Sequence, residues 1–261
     1  MPRIALSIAY DGRDWLGWQT QPSRKTIQDE LERAILCFAG SPHGTICAGR
    51  TDAGVHALGQ IIHLDTEIIR PDHAWIRGLN AHLPDSIAVQ WAKQVSDDFH
   101  ARFSACSRSY LYVIHNAPNR HPLLHGRAGW VYQQLDAEKM TESIKQVLGV
   151  HDFSSFRSSQ CQAATPIRTM LSAGLERKGN LIFIRFCANA FLHHMVRNLV
   201  GALVMIGQGR EPVSFMNHLL EVRDRTKGAP TFSPAGLYFL SAAYPDHDLP
   251  ANAADLPLFG V

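Results

Sequence analysis

Long apolar runs are missing from this chain. No stretch reaches the ~18 consecutive apolar residues that a membrane-spanning helix needs. The opening segment Met1–Tyr10 lacks the extended apolar region and small-residue cleavage site of a secretory signal. Cysteine is sparse: Cys37, Cys47, Cys106, Cys161 and Cys187 make an odd total of 5, with no Cys-x-x-Cys pair. That spacing gives neither a disulfide framework nor a structural zinc site. Charged residues are only 18% against 46% hydrophobic ones, which excludes a mainly disordered chain. The phosphate loop Gly-x-x-x-x-Gly-Lys-Ser/Thr, the Gly-x-Ser-x-Gly elbow and His-Glu-x-x-His are all absent. Gly207-Gln208-Gly209 lacks the third glycine and the preceding strand of a dinucleotide site. There are 14 histidines, but the adjacent His193 and His194 would point about 100° apart on a helix, and no metal site is expected. The composition is that of a soluble, globular, cytoplasmic chain, and 261 residues allow one large domain or two small ones.

What is present is an order of elements that occurs twice. Ile4, Leu6, Ile8 and Tyr10 recur at period two, the mark of a strand. Thr26, with Asp29 three residues on, opens a helix whose apolar face is Ile27, Leu31, Ala34, Ile35 and Phe38, and Gly40 stops it. Short strands at 45–48 and 60–65, a helix over 71–83 and a strand through Ile87, Val89 and Trp91 complete a β-α-β-β-α-β series. In the second half a strand runs through Tyr110–Ile114 and Asp136 caps a helix carrying Met140, Ile144, Val147 and Leu148. Strands at 169–177 and 181–188 are joined by the hairpin turn Lys178-Gly179-Asn180. A helix over 190–206, an extra one over 212–222 and a strand over 236–244 follow. The fold class expected is α+β, with two ferredoxin-like halves whose sheets join side by side and leave a cleft. The expected boundaries are 1–104 for the first domain, 105–245 for the second and 246–261 for a loosely structured tail.

The net charge of +2 hides an uneven distribution. Between Phe99 and Arg210 lie 13 basic and 5 acidic residues, while the flanks carry the other 12 basic and 18 acidic ones. Two windows, 99–135 and 177–210, contain no acid and interleave arginine with aromatics such as Phe103, Tyr110, Phe186 and Phe191. Guanidinium groups beside rings suit a phosphate backbone with unstacked bases.

Ala48-Gly49-Arg50-Thr51-Asp52-Ala53-Gly54-Val55-His56-Ala57 lies between two expected strands, with glycines bracketing an arginine and an aspartate. Such a loop can turn sharply and present both side chains at one point. With Tyr10-Asp11-Gly12, Gly17-Trp18-Gln19-Thr20-Gln21-Pro22, Thr26-Ile27-Gln28, Phe99-His100-Ala101-Arg102-Phe103-Ser104-Ala105, Phe191-Leu192-His193-His194-Met195-Val196-Arg197-Asn198 and Gly236-Leu237-Tyr238, it resembles the tRNA pseudouridine synthase A family. The likeness spreads from Arg3 to Tyr244, and this many motifs in order are highly specific.

The resemblance implies a cofactor-free isomerase that converts uridine to pseudouridine at positions 38, 39 and 40 in the anticodon arm of tRNA, and a homodimer that forms the tRNA surface together. It places Asp52 as the catalytic aspartate, Tyr110 as the ring packed on the target base, Arg197 as the arginine paired with the aspartate, and Leu237 as an apolar wall. Arg50 matches an arginine that displaces the target nucleotide, and Arg70 another position near the RNA. Phe99, His100, Ala101, Arg102 and Phe103, with Gln160, Cys161 and Gln162, fall on tRNA-contacting segments, and Arg108 extends the first basic window. Ala163 and Ala164 depart from the family's pattern, standing where polar and basic residues are expected. Independently of the likeness, the residue types suit the reaction: a carboxylate kept charged by an arginine, and an aromatic face to hold a detached uracil. Whether the aspartate attacks the base, attacks C1′ or assists loss of a C2′ proton stays open. Two other readings are a non-catalytic RNA-binding module, which gives no reason for a buried Arg–Asp pair, and a metal-dependent nuclease using Asp52 with nearby histidines.

Overall fold

A computed structural model describes residues 1–251 and Phe259. In chain order its elements are β1 (Arg3–Tyr10), α1 (Ile27–Ala39), β2 (Ile46–Cys47), β3 (His56–Asp65), α2 (Asp72–Asn80), β4 (Ile87–Val95), β5 (Ser107–Asn116), β6 (Gly129–Val131), α3 (Ala137–Ile144), β7 (Gly149–Asp152), β8 (Ile167–Lys178), β9 (Leu181–Ala188), α4 (Met195–Gly207), α5 (Phe215–Val222) and β10 (Leu237–Ala243). They group into two compact units, one of Met1–Arg108 with the chain from Tyr238 onward, the other of Ser109–Leu237. Among the described residues no helix is long and apolar enough to cross a membrane.

In the first unit β1 pairs antiparallel with both β3 and β4, giving the order β4-β1-β3, and β2 adds to β3. This is the ferredoxin-like pattern, in which each helix carries the chain across a strand that is inserted between its two neighbours. The helix α1 starts where its sequence requires. Thr26 is extended, its hydroxyl oxygen accepts the Asp29 N–H at 3.2 Å, and Gly40 closes the helix at φ 75°. Ile27, Leu31, Ala34 and Ile35 bury the inner face, and Phe38 meets Trp75 of α2 edge-on at 5.1 Å. The strand β10 lies parallel to β3, with Tyr238 beside His56 and Phe239 beside Ala57. Its first residue, Leu237, groups with the second unit and the rest with the first, whereas the sequence places 236–244 wholly in the second half.

The second unit orders its strands β5-β9-β8-β7, with β6 parallel alongside β5. Asp136 caps α3 through the N–H groups of Glu138 and Lys139, and Gly179 at φ 58° turns the β8–β9 hairpin. Two short strands, β6 and β7, add to the expected series. The helix expected from residue 190 starts at Met195, because His194 sits at φ 64° in left-handed backbone that a helix cannot include. His193 and His194 therefore precede the helix, and their rings lie 4.0 Å apart instead of splaying along it. The segment after β10 carries no strand or helix through Ala251, but it is tied down on the first unit. Tyr244 is buried and its hydroxyl donates to Ala101 O at 2.5 Å, and the His247 ring stands edge-on to Phe99 at 5.0 Å. Most of the remaining tail lies outside the described residues.

His63 of β3 is 3% exposed, accepts the Ala101 N–H on Nδ1 at 3.1 Å, and has the rings of Phe99 and His100 edge-on against it. Burial, followed by the nearby Arg3 charge, pushes its pKa from 6.5 down to about 4. The unfolded chain binds this proton at higher pH than the folded one. The stability that His63 contributes is therefore full above pH ~6.5 and declines as the pH falls toward ~4. His63→Gln should flatten that part of a melting-temperature profile between pH 7 and 4; an unaltered slope would show that other groups set it.

Candidate active site

The loop between β2 and β3 has no ladder to satisfy its backbone, so its polar groups must find other partners. Ala48 N–H reaches Ile61 O at 2.8 Å. Gln60, fully buried in β3, accepts the Gly49 N–H on Oε1 at 3.3 Å and returns a hydrogen bond from its amide nitrogen to Gly49 O. The buried Tyr10 hydroxyl pairs with Thr51 Oγ1 at 2.8 Å, and burial drives its pKa upward. Trp18 N–H donates to Thr51 O at 3.0 Å, and Gly54 N–H donates to Trp15 O at 3.2 Å. Asp52 opens a tight turn closed by Val55 N–H on Asp52 O at 3.2 Å, with Gly54 at φ 77° in the third position. Asp52 itself is half-buried and Arg50 is exposed.

Two glycines let the 12–18 segment lie flat on this loop. A Cβ on Gly12 would stand 1.9 Å from Val55 O, and one on Gly17, at φ 90°, would stand 2.7 Å from Thr51 O. His56 Nδ1 lies 3.2 Å from the Gly12 nitrogen and 3.3 Å from the Asp11 carboxylate, and its ring stacks on Tyr238 at 4.6 Å. Asp52 thus sits on a turn fixed from both sides by buried groups.

The segment 99–105 is held by its carbonyls. Arg3 takes Phe99 O at 2.7 Å and Tyr244 takes Ala101 O. Arg108 takes Ala105 O at 2.8 Å and Arg102 O. Phe99 and Ala101 are fully buried, so their side chains hold the segment against the first unit. Arg102 and Phe103 project outward, with the guanidinium 5.4 Å from the Phe103 ring and the His100 ring 4.4 Å from it on the same platform. Arg108, counted from sequence with the surface arginines, is only 9% exposed and turned inward. Arg70 is exposed and lies over the Phe38 ring at 5.2 Å.

In the second unit Tyr110 is 8% exposed, with Phe191 edge-on at 4.9 Å. Arg197 falls in the first turn of α4, not in mid-helix, and its Nε donates to Phe232 O at 2.8 Å. A cation there opposes the helix dipole, an arrangement that a neighbouring anion would offset. Leu237 is buried at the start of β10, its N–H on Pro234 O at 2.9 Å. The loop bearing Gln160, Cys161 and Gln162 is fastened beside the start of α4: Ser158 N–H reaches His193 O at 3.0 Å and His193 N–H reaches Cys161 Sγ at 3.5 Å. Arg157 braces the same loop through Cys161 O and Ala163 O, both at 2.8 Å. Gln160 and Gln162 are left exposed. Sequence reasoning passed over Gln60 and Arg157; for Gln60 the signal was a polar residue in a strand otherwise filled with Ile61, Ile62 and Leu64.

The family model described as tRNA pseudouridine synthase matches residues 6–104 and 143–245, which include Asp52, Arg197 and Leu237 but not Tyr110. The tRNA pseudouridine synthase A of Bordetella petrii is 56% identical over 247 residues, 94% of this chain and 92% of its own length. That of Paraburkholderia phytofirmans is 54% identical over 246 residues, again 94% of this chain and 91% of its own. The chain belongs to the tRNA pseudouridine synthase A family.

Gln60→Leu removes the partner of both Gly49 polar groups while keeping the strand apolar. It should lower unfolding stability by about 1–3 kcal/mol in denaturant titration; an unchanged midpoint would mean that Gln60 does not secure the loop.

Proposed function

We propose that this chain isomerises uridine to pseudouridine at positions 38, 39 and 40 in the anticodon arm of tRNA, acting as a homodimer in the cytoplasm. The observation that carries the reading is Asp52 on a turn secured by Tyr10, Trp18 and Gln60, in a chain of this family. The N1–C1′ bond breaks, the uracil turns, C5 joins C1′, and the proton released from C5 is balanced by one gained at N1. Nothing is oxidised or consumed, so the stoichiometry calls for no redox cofactor.

In this reading Asp52 supplies the negative charge at the sugar–base bond, and Arg197 holds that charge in direction. Tyr110 offers its ring to the uracil while the base is detached; such stacking is typically worth ~1–3 kcal/mol. Leu237 excludes water from the base, and Arg50, exposed beside Asp52, takes the place of the displaced nucleotide. The target nucleotide must leave its stack at a cost of roughly a few kcal/mol. Phosphate contacts from Arg102, Arg70 and the exposed amides of Gln160 and Gln162 offset it. Recognition by backbone and shape lets one enzyme treat adjacent positions. In this reading the Asp52 loop is the contribution of the first unit, and Tyr110 and Arg197 that of the second.

Incubation with an unmodified tRNA transcript, followed by carbodiimide labelling and reverse-transcription stops, should map pseudouridine to positions 38–40; stops confined to another arm would refute the assignment. Asp52→Asn should abolish isomerisation and leave tRNA affinity within a few-fold, and a variant as active as the parent would remove Asp52 from the chemistry. Arg102→Ala should reduce the slope of log affinity against log salt by about 1; an unchanged slope would place the platform away from phosphate.

A further inference from the structure

Arg108 is the second residue of β5, and its guanidinium is buried. Its Nε and Nη2 both donate to Ala48 O, at 3.3 and 3.2 Å. Nη1 donates to Ala105 O at 2.8 Å, and Nη2 also reaches Arg102 O. Ala48 is the last residue before the Gly49–Val55 turn, and Arg102 carries the outward platform with Phe103. One planar fork therefore ties the entry of the Asp52 loop to the underside of the exposed basic segment.

We propose that Arg108 is a positioning residue for the isomerisation, locking the Asp52 loop and the Arg102–Phe103 platform into one rigid piece so that engagement of the RNA backbone fixes the carboxylate. The inference rests on the reading of Asp52 and Arg102 given above. Only arginine fits the role. Its five N–H donors are set in a plane and can serve carbonyls on both edges at once, whereas a lysine ammonium places three donors at a single point. The carbonyl dipoles hold the cation in place of water. The fork bonds the Arg102 carbonyl while the Arg102 side chain faces solvent, so loss of the fork should leave the phosphate contact available but free Ala48 and the turn that follows it. A displacement of about 1 Å at a reacting group can cost on the order of 10²-fold in rate.

The test uses the full-length protein with unmodified tRNA transcript under single-turnover conditions. Arg108→Ala should lower the rate at saturating tRNA by about 10²-fold. Its tRNA dissociation constant and salt slope should stay within two-fold of the parent's. Millimolar guanidinium should restore part of the rate, and equal urea or sodium chloride should not. Arg108→Lys keeps the charge without the fork and should fall between the two; it also decides the matter if the alanine variant does not fold. A saturating rate equal to the parent's in a folded variant would overturn the inference. So would a salt slope reduced by about one with the rate intact, since that marks a direct phosphate contact. If the parent forms no pseudouridine, or Asp52→Asn is fully active, the underlying reading fails instead, and those controls separate the two failures.

Discussion

An irregular stretch of backbone can be buried only if each of its N–H and C=O groups is given a partner, and the stretch from Ala48 to Val55 depends on that condition throughout. The strand ladders supply few of these partners. They come from side chains and from the neighbouring 12–18 segment: the Gln60 amide on Gly49, the Arg108 guanidinium on Ala48 O, and the backbone of Trp15 and Trp18. Each partner is itself immobilised by the core, so the turn inherits its rigidity. A carboxylate borne on such a turn loses little freedom when a substrate arrives, which is the condition for electrostatic preorganisation.

The same economy governs 99–105. Its inward carbonyls are taken by Arg3, Tyr244 and Arg108, and its outward side chains are Arg102 and Phe103. Two arginines six residues apart thus do opposite work, one serving backbone from within and one facing solvent. The Phe103 ring, close to both the Arg102 guanidinium and the His100 ring, gives the outer surface both a charge and a flat apolar face. That pairing suits nucleotides, which offer a phosphate and a π-face to each neighbour.

Much of this was legible in the residues. The bounds of β1 and β9, the caps at Thr26 and Asp136 and the turn at Gly179 follow from period, capping chemistry and glycine, all of which act over a few residues. The Gly49–Gly54 loop announced itself by its paired glycines. What escaped was set by longer-range contacts. A run of apolar residues cannot reveal that His194 adopts left-handed backbone, so α4 began later than its composition implied. The three- and four-residue strands β6 and β7 exist only through their partners β5 and β8. Charge counting treats every arginine as surface, yet Arg108 shares the period-two face of Tyr110 and Tyr112, both buried. Gln60 likewise acquires its meaning only once Gly49 is beside it.

The strand order of the first unit bears on how the chain is made. The β3 edge that receives Tyr238 and Phe239 belongs to a segment synthesised early, while β10 emerges from the ribosome late. Until then that edge offers unpaired amides and carbonyls, a surface open to mispairing. The short β2, hydrogen-bonded at Ile46 and Cys47 to the far half of β3, shields part of it during the wait. Completion of this sheet is a non-local step, and such closures are slow relative to helix formation.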